Sequence, residues 1–144
     1  MENKQRYTLG KDQRIKRRKD IERLFNNGES FSIYPLRVYY FIRNEDDKSD
    51  STSQSQIVEP ILQFGAGVSK RNFKKAVDRN RIKRLLRETY RLGNSGLELA
   101  VALKKEASLK LFILYVGKEM PTYDLIKQKV GQAMLRLQKK FENS

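Results

Sequence analysis

The chain contains no cysteine and no histidine in 144 residues. The first absence excludes disulfide frameworks, zinc knuckles and thiol nucleophiles. The second removes the commonest general base at neutral pH and the commonest metal ligand. No apolar run reaches the roughly eighteen residues that a membrane-spanning helix needs. The first twenty residues, MENKQRYTLGKDQRIKRRKD, have no apolar stretch of the secretory type, so a cytoplasmic protein is expected. Acidic residues are also scarce: 17 Asp and Glu face 31 Lys and Arg, a net charge of +14. What remains is a chain of one-domain length, 38% hydrophobic, sufficient for a single modest core.

The charge is gathered rather than spread. Residues 70–91 carry ten basic and two acidic side chains, and residues 1–23 carry nine and four. Residues 44–60 are acidic, with five carboxylates and one lysine. Two basic blocks holding most of the excess point to a polyanionic partner. Neither block combines its charge with an apolar insertion face or a lipidation motif, so nucleic acid is favoured over a membrane surface.

Pattern along the chain gives the organisation. Residues 1–13 read as a flexible basic arm. KDIERLFNNG (19–28) spaces Ile21, Leu24 and Phe25 as a short helix, with Gly28 as its stop. FSIYPLRVYYFI (31–42) is aromatic and β-branched around Pro35, predicting a short edge strand and then a strand at 36–42. Residues 44–60 read as an acidic mobile loop. PILQFGAGVS (60–69) is a further strand, its glycines at 65 and 67 marking a place where another backbone approaches closely. Residues 78–91 form a helix with Ile82, Leu85, Leu86 and Thr89 on its apolar stripe, closed by Gly93. Ser95 and Glu98 stand in capping-box spacing at the head of a helical stretch over 95–108. LKLFILYVG (109–117) is apolar apart from Lys110 and predicts a buried strand. After Pro121 and Thr122 comes a last amphipathic helix with Leu125, Ile126, Val130, Ala133, Met134 and Leu137 inward, ending in a tail at 141–144. The sum is one α+β domain over 1–144, its helices packed on a mostly antiparallel sheet.

The segment DRNRIKRLLRETYR (78–91) holds five arginines and one lysine against Asp78 and Glu88. A solvated helix face laced with ion pairs would need more acidic partners. On a helical wheel Asn80, Lys83, Arg84, Arg87 and Arg91 fall opposite the apolar stripe. Guanidinium forks bind phosphate oxygens bidentately, whereas lysine is a point charge, and Asn80 adds an amide able to donate and accept. The helix reads as a phosphate-backbone reader.

The stretch GVSKRNFKKAVDRNRIKRLLRE resembles the signature of the bacterial ribonuclease P protein family. Its Arg-Asn-Arg core, the Ile-Lys-Arg that follows and the next Arg are Arg79, Asn80, Arg81, Ile82, Lys83, Arg84 and Arg87. The likeness extends to GVSKR, KDIERLF, VYYF and FILYVGKEMPTYDLIKQKV, about residues 14–140 in all. It implies an αβββαβα order with about four strands and a left-handed βαβ crossover shared with a ribosomal-protein domain, against the usual handedness rule. It implies a protein that joins a catalytic RNA in removing the 5′ leader of precursor tRNA. On that reading magnesium ions are held by the RNA, none by the protein, and no side chain is catalytic. Arg79, Asn80, Arg81, Lys83, Arg84, Arg87 and Arg91 would contact the catalytic RNA. Phe25, Tyr39, Lys70 and Arg71, with Arg23 and Lys118, would line a cleft for the single-stranded leader, as stacking aromatics in a basic groove do elsewhere. The chain departs from the family pattern at Ile21, at Ile33-Tyr34 before Pro35, and in the lengths of 44–60 and 95–108.

Two other readings stand beside it. A structural RNA-binding protein of ribosomal type would use the same basic helix without any part in cleavage. A metal nuclease would use Glu45, Asp46, Asp47 and Asp50, although two-metal chemistry needs carboxylates on a rigid frame. No short helix and tight turn precedes residue 78, so a helix-turn-helix DNA reader is not expected.

Overall fold

The computed structural model describes residue 15 and residues 18–43, 62–103 and 108–143. The expected arm at 1–13, the acidic loop at 44–60 and its carboxylates Glu45, Asp46, Asp47 and Asp50 lie outside the described residues. The elements are α1 (Arg18–Asn27), β1 (Glu29–Ile33), β2 (Leu36–Arg43), β3 (Leu62–Val68), α2 (Ala76–Gly93), α3 (Ser95–Leu103), β4 (Ser108–Tyr115) and α4 (Tyr123–Glu142). The family order αβββαβα is therefore present with one helix added, α3, where 95–108 was read as helical. That helix stops at Leu103, and β4 has begun by Ser108.

The strands form one sheet in the order β1-β2-β4-β3. β1 and β2 are antiparallel neighbours joined by a tight turn with a cis Tyr34–Pro35 peptide bond. β2 and β4 are antiparallel, and β3 lies parallel to β4 at the sheet's edge. The apolar text of β4 is explained by its place between two neighbours with cover on both faces. Leu109, Leu111, Ile113 and Tyr115 enter the main core, while Phe112 points the other way with Leu24 and Ile15.

On the main face, β2 contributes Leu36, Val38 and Tyr40, all buried in the core that the sheet shares with α2, α3 and α4. Alternation then sends Tyr39 to the opposite face, under α1. Tyr40 donates its hydroxyl to Glu29 Oε1 at 2.9 Å, and burial pushes that phenol up to about 12. α4 begins where Thr122 caps it, its hydroxyl accepting the Leu125 N–H at 3.2 Å. It runs on to Glu142 and buries Phe141 completely, so no tail starts at 141. Phe141 continues the stripe of Val130, Met134 and Leu137 and is simply its next turn.

α2 ends at Gly93 as read, with Asn94 as the capping residue at φ −94°. Two local expectations are corrected. Ser95 is already inside α3, whose first turn is marked by the Glu98 N–H bonding Asn94 O at 2.8 Å. The glycines of β3 make room for a ring rather than a backbone. A Cβ on Gly65 would stand 2.7 Å from Phe112 Cδ2, and one on Gly67 2.8 Å from Phe112 Cζ. Phe112 in turn meets the edge of Phe25 with centroids 5.4 Å apart. The ring is held from both sides, so Gly65→Ala is expected to destabilise the fold by about 1–3 kcal/mol through overpacking. A denaturant midpoint equal to wild type would show that Phe112 moves aside without cost.

Candidate nucleic-acid interface

The parallel edge strand β3 has α2 against one face and α1 toward the other, which leaves a groove along its edge. The groove encloses about 420 Å³. Its wall on one side is Ile21 and Phe25 of α1, and its floor is β3 with Phe112. Its other wall is Arg79, Lys83 and Arg87 of α2, with Lys70 at the end of the strand. Ile15 closes a corner by donating its N–H to Phe64 O at 2.9 Å.

The rotation of α2 decides which cations face this space. Tyr90 stacks flat on Phe64, centroids 4.0 Å apart and planes at 6°. Ile82, Leu86 and Thr89 are buried beside it. With that side fixed, Arg79, Lys83 and Arg87 form an i, i+4, i+8 row along the groove. Asn80 and Arg84 form the next row outward, and both are exposed, as is Arg81 further round. Arg91 is half-buried in the last turn. The single stripe predicted for Asn80, Lys83, Arg84, Arg87 and Arg91 is thus two adjacent rows with different neighbours.

Arg79 has a further task. One terminal nitrogen donates to the carbonyls of Phe73 and Lys74, at 2.9 and 2.8 Å. Those residues lead into α2, which starts after Lys75 without a side-chain cap. The guanidinium does not cap the helix, whose first N–H groups need an acceptor, but it holds the loop that carries Lys70, Arg71 and Lys74.

The sequence-predicted cleft residues divide in the same way. Phe25 and Lys70 reach the groove. Phe25 is 41% exposed, a large value for a ring that also touches Tyr39 and Phe112. Tyr39 does not line the groove: it lies half-buried beside Phe25, ring centroids 4.4 Å apart, and supports it. Arg71 and Lys118 are exposed at the end of the sheet, outside the groove, and Arg23 is exposed on α1. Arg37, not singled out from the sequence, places its guanidinium 5.9 Å from the Tyr39 centroid. Its only sequence signal was the alternation that put it on the same face as Tyr39. Phe112, the floor, was hidden in a strand that reads as almost continuously apolar.

The arrangement combines flat rings, a low strand edge and a row of cations. That set suits a single nucleic-acid strand, whose bases stack and whose phosphates need charge. A family model for ribonuclease P matches residues 9–138. The chain belongs to the ribonuclease P protein family. Among its relatives, the ribonuclease P protein component of Porphyromonas gingivalis is 31% identical over 131 residues, 91% of this chain and 87% of that one. The component of Chlorobium phaeobacteroides is 33% identical over 133 residues, covering 88% and 86%. The solved structure of Staphylococcus aureus RNase P protein has the same fold, with a TM-score of 0.61 at 22% identity over 90% of this chain and 97% of that one. Family membership does not favour the ribosomal-type alternative.

The Arg79 clamp gives a test separable from charge. Arg79→Lys retains the cation, but its ammonium nitrogen ends one bond short of the guanidinium nitrogen that reaches both carbonyls. It is expected to cost about 1–2 kcal/mol of stability, measured by thermal unfolding without RNA.

Proposed function

We propose that this ribonuclease P protein works in the cytoplasm with a catalytic RNA subunit, and that the two rows of α2 serve two RNAs. The outer side, with Asn80, Arg81 and Arg84, meets phosphates of the catalytic RNA, and Arg91 extends that contact. The inner row, Lys83 and Arg87 with Arg79 behind them, faces the groove. There Phe25, supported from below by the buried Phe112, offers a ring and Lys70 a further charge to the 5′ leader of precursor tRNA. The observation that carries this reading is the meeting of Phe25, Phe112, Lys70, Lys83 and Arg87 around one groove. Stacking on aromatic faces beside a basic wall tolerates any base, as a leader of variable sequence demands.

On this reading the hydrolysis belongs to the RNA and its bound magnesium ions. The protein's side chains do physical work only. They screen the repulsion between two RNAs, and each phosphate contact releases condensed counterions. The expected consequence is tighter substrate binding and a lower magnesium requirement. Neither a membrane nor DNA enters the account.

Leader removal from a precursor tRNA at low magnesium tests the reading directly, with protein alone, catalytic RNA alone and the two combined. Cleavage is expected only in the combination. Cleavage by protein alone would make the chain a nuclease and return attention to the carboxylates at 45–50. Equal rates with and without protein would leave a plain RNA binder.

A further inference from the structure

One end of the sheet gathers exposed side chains that the groove does not use. Pro35, in the turn between β1 and β2, is buried, and its carbonyl accepts the Val116 N–H at 2.8 Å. Gly117 lies so close that an added Cβ would stand 3.1 Å from Pro35 Cβ and 2.7 Å from Tyr115 Cζ. The Asn72 amide donates to the carbonyls of Val116 and Gly117, each at 3.2 Å. The Tyr115 hydroxyl donates to Glu119 O at 2.6 Å. These bonds knot the segments 34–35, 69–72 and 115–119 into one rim. Tyr34, Arg71 and Lys118 stand on it, all exposed, with Glu119 as the acidic neighbour.

Tyr34 is 69% exposed, more than any other aromatic residue described. Its ring therefore stands outside the core while its backbone is pinned next to Pro35. A ring held this way loses little freedom when a partner stacks on it. The rim is also continuous with the groove. Lys70 lines the groove and belongs to the same segment as Arg71 and Asn72. Val68, Tyr115 and Leu36 lie in one row across β3, β4 and β2. The turn is thus two strand spacings, about 10 Å, from the groove's end at Val68.

We propose that this rim is a second stacking site for one unpaired RNA nucleotide, with the Tyr34 ring as its platform and Arg71 and Lys118 placed for the flanking phosphates. A strand leaving the groove past Lys70 runs onto it. The proposal rests on the reading of the groove as the leader's site, and it adds a leader position beyond the groove that only longer leaders reach.

The test uses holoenzyme and precursor tRNAs with leaders of graded length, carrying 2-aminopurine at successive leader positions. One position distal to those in the groove is expected to be quenched with wild type and with Tyr34→Phe, and to regain fluorescence with Tyr34→Ala. The same Tyr34→Ala holoenzyme is expected to show a KM raised about 10-fold for long leaders, with kcat and short-leader KM unchanged. Tyr34 makes little of the core, so the variant should melt like wild type, which a thermal scan confirms before kinetics. Quenching that Tyr34→Ala leaves unaltered at every position would overturn the proposal while the groove reading stands. No quenching at any leader position with wild type would remove the groove reading and the rim with it.

Discussion

Strands β3 and β4 run parallel, and parallel neighbours cannot be joined by a tight turn. The chain must leave the sheet at Val68, cross its face and return at Ser108. That detour is α2 and α3, and it lays the most basic of the described helices beside an edge strand. An edge strand has an open side, and here the open side becomes the floor of the groove. The antiparallel remainder of the sheet sets the other half of the site. β2 and β4 place Tyr39 and Phe112 on the face away from the main core, and α1 brings Phe25 down between them.

Within that frame the electrostatics follow from rotation. The Phe64–Tyr90 stack and the burial of Ile82 and Leu86 fix α2 about its own axis. Cations four residues apart then face the groove, and their immediate neighbours face outward. A helix that rolled freely would present one undifferentiated basic surface. Arg79 shows that charge and architecture share residues here. The guanidinium that belongs to the family signature also holds two loop carbonyls, so part of its value lies in shape rather than in phosphate binding.

Much of this was legible in the sequence, and the losses have physical causes. Helix α2, strand β4 and helix α4 were read near their true limits because their apolar patterns are long and unambiguous. Thr122 marked the start of α4 by chemistry that is local. Periodicity assigns a residue to a face but never names what lies opposite. It could not separate Lys83 from Arg84, because the difference is made by β3 (Leu62–Val68), an earlier strand whose register partners in β4 lie 47 residues further along the chain. The glycines of β3 announced a close approach, yet only the fold shows that Phe112 is what approaches. Alternation could not choose a face for Tyr39, and its position beside Phe25 depends on how α1 crosses the sheet. Phe141 was taken for tail because its stripe was cut one turn short.

The central claim is that neighbouring positions on one helix address different RNAs. The absence of native cysteine makes it directly measurable, since a single introduced thiol carries a photo-crosslinker to one place only. Lys83→Cys and Arg84→Cys proteins, each labelled and assembled with the catalytic RNA and precursor tRNA, are irradiated and the crosslinked strand is mapped. The account predicts leader crosslinks from position 83 and catalytic-RNA crosslinks from position 84. Crosslinks from both positions to the same RNA would contradict it.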